Sequence, residues 1–137
     1  MTELPHDTYM GMVRDELESA GVGPRQWWTE AGEDVLEAVF EFARDSVSGE
    51  AWPRGVYLGW DQDRGWALYE PGGGGLADES PLGRTVGDYA HPREVALICA
   101  HQLQHGTEPE PGLVGALPPW DGGDAVFEAV TSWTAQL

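Results

Sequence analysis

His101-Gln102-Leu103-Gln104-His105 sets two imidazoles four residues apart. On a helix they stand one turn from each other, at the spacing of a metal-binding pair. The glutamate that acts as general base in the HExxH metalloprotease motif is missing, because position 102 is Gln. Cys99 precedes His101 by two residues, about 200° round a helix, which keeps its thiol out of the same tetrahedron. His101 and His105 are therefore weak metal candidates. The plainer reading is two surface histidines near a helix C-terminus, where their charged forms suit the helix dipole.

Other motifs dissolve in the same way. Asp61-x-Asp63-x-Gly65 opens like a calcium loop, but its Gly stands fifth instead of sixth and its twelfth position is Gly72 instead of Glu. Gly72-x-Gly74-x-x-Ala77 follows a strand-like run, as a dinucleotide fingerprint would. Asp78-Glu79-Ser80-Pro81 then puts acid and proline where a helix N-terminus would have to hold a pyrophosphate. The Gly-x-Ser-x-Gly nucleophile motif does not occur. Pairs of carboxylates near Glu70 are what chance supplies among 24 acids. No catalytic residue and no cofactor emerge, so the chain reads as a non-enzyme.

The elements that would carry these residues are partly clear. Tyr9, Met12, Val13, Leu17 and Ala20 recur at helical steps behind Asp7, which suits a cap, and Gly21 suits the end. Gly21 to Pro24 reads as a turn, with Trp27-Trp28 packing back on that helix. Residues 33–47 fit a helical face, and over 36–43 they also fit strand alternation. Val56–Trp60 and Trp66–Glu70 are β-prone runs around a five-residue loop, Asp61–Gly65, with Gly at the left-handed position. Pro71–Gly75 ends the second run and opens a flexible loop to about Tyr89. A helix over 92–105 opens on Pro92, shows an inward stripe from Val95 to Leu103, and stops at Gly106. Residues 107–123 are rich in Pro and Gly, and a last helix over 124–135 presents Val126, Phe127, Val130 and Trp133.

Composition narrows the function. The 137 residues carry 24 Asp plus Glu against 7 basic residues, all Arg, for a net charge of −17. The excess is spread over both halves of the chain. Such a surface repels phosphate backbones and anionic membranes, and no basic stripe is present, so direct nucleic-acid and membrane binding are not expected. Lys and Asn are absent and Ile98 is the only Ile, the signature of a GC-rich coding sequence from a high-GC bacterium or its phage. A hydrophobic fraction of 41%, with seven Trp, is too high for a disordered acidic chain. The lone Cys99, a first stretch unlike a signal peptide, and a longest apolar run of only Val95–Ala100 fit a cytoplasmic location.

The string Val56-Tyr57-Leu58-Gly59-Trp60-Asp61-Gln62-Asp63-Arg64-Gly65-Trp66 resembles the LGWDxxxGW core of DUF6292, a small actinobacterial family of unknown function. Gly23-Pro24-Arg25-Gln26-Trp27-Trp28 and Pro92-Arg93-Glu94-Val95-Ala96 are also similar to that family, over about residues 8–104. The resemblance implies an α-β-β-β-α order and tips residues 36–43 toward a first strand. It carries no activity. The Gly72–Asp88 insertion and the segment 107–137 depart from it.

The expectation is therefore an α+β fold: a three-stranded antiparallel sheet (36–43, 56–60, 66–70) packed by an N-terminal helix, the 92–105 helix and a C-terminal helix. Residues 1–106 form one domain, and 107–137 add a connection plus a helix that packs on it or docks a partner. Trp and Tyr set among carboxylates suggest a protein-interaction module for a basic partner, with Trp60, Asp61, Asp63, Trp66 and Trp120 as the contact residues. The plainer role for the Trp residues is to fill a core short of Ile and Phe. One alternative is nucleic-acid mimicry by Asp15, Glu16, Glu18, Glu33, Asp34, Glu37 and Glu41, in the manner of a phage inhibitor. Another is a small-molecule binder or enzyme with an aromatic pocket near the hairpin.

Overall fold

A computed structural model describes residues 4–32, 35–53, 55–70, 78–81, 88–106, 120 and 122–135, with 78–81 as backbone only. The elements run α1 (Asp7–Ser19), β1 (Gln26–Ala31), β2 (Leu36–Glu41), a 3₁₀ turn (Arg44–Ser46), β3 (Tyr57–Asp61), β4 (Gly65–Glu70), β5 (Asp78–Pro81), α2 (Pro92–His105) and α3 (Gly122–Ala135). The strands form one antiparallel sheet in the order β1-β2-β3-β4-β5. An α+β fold with an antiparallel sheet and three helices is thus what the chain adopts.

The sheet has five strands where three were expected. β1 has no counterpart among the expected elements, because adjacent Trp27 and Trp28 hide the alternation that marks a strand. β5 lies inside the stretch read as a flexible loop. The run 36–43 is a strand only to Glu41, where the backbone leaves the sheet for the 3₁₀ turn. Pairing with β1 and β3 on both sides settles its conformation, which no local period could.

Cross-strand partners share a face. Trp27, Phe40, Leu58 and Leu68 form one row of the inner face, and Thr29, Ala38, Trp60 and Trp66 the next. α1 lays Tyr9, Met10, Val13 and Leu17 on this face, and α2 adds Val95, Ala96, Ile98, Cys99 and Leu103. The stripe of α1 takes Met10 inside and leaves Met12 exposed, because the helix meets both the sheet and α2. Asp7 is the first residue of α1, not its cap. Its carboxylate accepts from Leu4 N and from the Thr29 hydroxyl, tying the helix start to β1. α3 enters the core through Val130 and is fixed by a Gln62–Thr134 hydrogen bond.

Aromatic donors hold both ends of α2. Ahead of it, Trp60 Nε1 donates to Asp88 O, Trp120 Nε1 to Tyr89 O, and Tyr9 Oη to Ala90 O. At its C-terminal end, Trp52 Nε1 donates to Gln102 O, which also accepts from Gly106 N, and Ser48 N donates to Leu103 O, a carbonyl at the helix end. Trp52 is itself part of the core.

His6 is fully buried beneath this layer, stacked on Trp60 with ring centroids 5.4 Å apart. Its Nε2–H donates to Glu37 O, and Nδ1 has no partner among the described residues. Burial pushes the imidazole below its ordinary value of 6.5, so the folded ring is neutral. The stability this gives is whole above pH 6.5 and is lost as pH falls below it, at no more than about 1.4 kcal/mol per pH unit for one proton. Thermal melts from pH 7.5 to 5.5 should show a falling midpoint in the wild type and a flatter profile in His6→Gln. Equal slopes in the two would place the titration elsewhere.

Candidate functional site

The residues expected to meet a partner gather around the β3–β4 hairpin, but most of them are buried. Trp60 and Trp66 are directly opposed on the inner face and only 2% and 5% exposed, so neither is available to a partner. Asp61 is buried as well. Its Oδ1 accepts from Asp63 N at 2.9 Å and Arg64 N at 2.7 Å, and its Oδ2 meets Arg64 Nε at 2.8 Å. Gly65, at φ +76°, closes the turn in the left-handed conformation the sequence calls for. Trp120 is half-buried over Tyr9, and Asp63 alone of the five is exposed. The hairpin motif thus explains itself structurally, with a paired-Trp core face and a carboxylate-stapled turn.

His101 and His105 lie one turn apart on α2 with ring centroids 4.5 Å apart. Among the described residues, no three His, Cys, Asp or Glu side chains come together to hold a metal. Cys99 is buried, and burial pushes its thiol up, away from the reactive thiolate. A cleft lined by Phe42, Arg44, Val47, Trp52 and Val56 holds about 50 Å³, against the few hundred Å³ a small-molecule site needs.

The opposite face of the sheet is different. In one row stand Gln26, Glu41, Tyr57 and Tyr69, in the next Trp28, Val39, Gly59 and Ala67, and in the third Glu30, Glu37, Asp61 and Gly65. Trp28, Val39, Tyr57 and Tyr69 are half-buried and none packs on the hydrophobic core. The two tyrosines stack at 5.2 Å and 16° and lie over Gly59, whose absent Cβ would sit 2.6 Å from Tyr69 Cε2. Gly59 is therefore what lets the rings lie flat on the sheet.

Carboxylates border this aromatic patch. Glu30 and Glu37 are directly opposed across β1 and β2, a like-charge pair that costs stability, and no ion pair reaches either among the described residues. Glu41, in the flanking row, takes a hydrogen bond from Gln26 and lies 3.5 Å from Arg25. Sequence reasoning did not single out Tyr57, Tyr69 or Glu30, and it placed Trp28 with Trp27 against the first helix, where only Trp27 lies. The available signal was the alternation Gln26-x-Trp28-x-Glu30, obscured by Trp27.

The carboxylates considered as phosphate mimics do not form one row. Asp15, Glu16 and Glu18 belong to α1, on the inner side of the sheet, whereas Glu37 and Glu41 are on its outer face. Glu33 and Asp34 lie outside the described residues. No described helix is long and apolar enough to cross a membrane. Comparison with family models, with curated proteins and with solved structures finds no match for this chain.

Proposed function

We propose that this protein is a non-enzymatic interaction module that binds a basic partner protein through the outer face of its sheet. The observation that carries the reading is the patch of Trp28, Val39, Tyr57 and Tyr69, set apart from the core and bordered by Glu30, Glu37 and Glu41. Aromatic side chains bring contact area and tolerate desolvation, and arginine stacks on them. Surrounding carboxylates select for positive charge, and a net charge of −17 steers such a partner in from solution.

A nona-arginine peptide titrated into isotopically labelled protein tests the location. Amide shifts should concentrate at residues 26–30, 37–41, 57 and 69, and the affinity should fall at least tenfold from 50 to 300 mM salt. Trp28→Ala should weaken binding about tenfold, as loss of an aromatic anchor does. Shifts spread equally over Asp15, Glu16 and Glu18 would mean that bulk charge alone attracts the peptide, and the reading would fail.

A further inference from the structure

Among the described residues β1 ends the sheet, and only one of its edges is paired. Along an antiparallel strand, the N–H and C=O groups of successive residues point to opposite sides. At the β1–β2 turn Gly32 N donates to Val35 O, which sets the alternation. Gln26, Trp28 and Glu30 therefore pair with β2, and Trp27, Thr29 and Ala31 turn their backbone groups away from the sheet. Among the described residues no further backbone hydrogen bond reaches those three. Proteins usually blunt such an edge with Lys or Pro, and Gln26–Ala31 contains neither.

We propose that β1 is a strand-addition site, at which an extended basic segment of a partner protein pairs with Trp27, Thr29 and Ala31 and becomes a sixth strand. The inference rests on the partner reading above and adds the mode of recognition. Main-chain hydrogen bonds would hold the segment, and its side chains would continue the existing rows.

On the outer face, one residue would stand beside Trp28 and another, two positions along, beside Glu30. An arginine beside Trp28 stacks on the indole. A cation beside Glu30 pairs with it and relieves its opposition to Glu37. The residues between them would lie beside Trp27, Thr29 and Ala31, where small or β-branched side chains fit. The segment recognised is thus one with basic residues at alternating positions. A second copy of this chain is the poorer occupant, since it would bring another −17 and another Glu30 to the same edge.

The test uses the full chain and a capped nine-residue peptide alternating arginine with threonine. Two further peptides have the same sequence but carry backbone N-methyl groups on every threonine or on every arginine. All three have the same charge, and only one alternate set of amides can face β1. One methylated peptide should bind at least tenfold more weakly than the parent and the other within about threefold. Ala31→Pro, which removes an edge N–H at an exposed side chain, should weaken the parent peptide about tenfold with little change in melting temperature. A difference below threefold between the methylated peptides overturns strand addition. If the parent still shifts the outer-face amides, the partner reading then stands without it. Failure of the parent peptide to bind sinks both. A dimer of the free protein in light scattering that Ala31→Pro dissociates would assign the edge to a second copy instead.

Discussion

Trp60→Ala should cost about 3–5 kcal/mol of folding stability, the usual range for truncating a large buried aromatic. The side chain is 2% exposed, opposes Trp66 across the hairpin, stacks on His6 and meets Tyr89 edge-on at 5.9 Å. Its Nε1 also donates to Asp88 O at 2.8 Å, so the truncation strips a partner from the segment that leads into α2. Against a total of about 5–15 kcal/mol for a domain this size, such a loss leaves the protein close to unfolding. Trp60→Phe keeps most of the packing and deletes the donor, and should cost about 1–2 kcal/mol. Trp28→Ala, half-buried outside the core, should cost less than about 1 kcal/mol. Urea unfolding of the three variants checks the order. If Trp28→Ala destabilised as much as Trp60→Ala, the outer face would be a second core and not a surface for a partner.

What could be read from the sequence follows the range of the forces involved. The β3–β4 hairpin was legible because its determinants are local: Gly65 needs a positive φ and Asp61 caps its own turn. α2 was legible for the same reason, with Pro92 at its start and Gly106 at its end. The strand at 36–41 was expected only through the family resemblance, because Leu36, Ala38 and Phe40 also fit a helical stripe and only neighbouring strands decide between them. β1 was hidden by its own composition, as Trp27 goes to the core face and Trp28 to the opposite one.

The same asymmetry governs the candidate site. Seven tryptophans suggested an adhesive surface, and the hairpin pair looked the best placed to provide it. Six of them, Trp27, Trp52, Trp60, Trp66, Trp120 and Trp133, instead pack into or against the core, and Trp52, Trp60 and Trp120 also donate to backbone carbonyls around α2. Those bonds span from 28 to 50 residues of sequence, so no local pattern announces them. A core short of Ile and Phe explains most of the tryptophan excess. It leaves Trp28 and the Tyr57–Tyr69 pair as aromatics that the core does not use.

Asp61→Ala should be the most damaging change to the hairpin turn, at about 2–3 kcal/mol. The carboxylate is 5% exposed and accepts two backbone N–H groups and the Arg64 side chain. Hydrogen bonds to a charged group contribute about 1.5–3 kcal/mol, and the two amides lose their partner together. Asp61→Asn separates the contributions, because its amide oxygen can still accept from Asp63 N and Arg64 N while the ion pair with Arg64 is lost. That loss should be small, below about 1 kcal/mol, since Arg64 is mostly exposed and solvent screens the pair. Asp63→Ala, on an exposed side chain in the same turn, should change stability by no more than about 0.5 kcal/mol. Urea unfolding should therefore rank Asp61→Ala far below Asp61→Asn and Asp63→Ala, while the arginine peptide binds all three alike at the outer sheet face. Strong loss of peptide affinity in folded Asp61→Asn would return the hairpin turn to the binding surface.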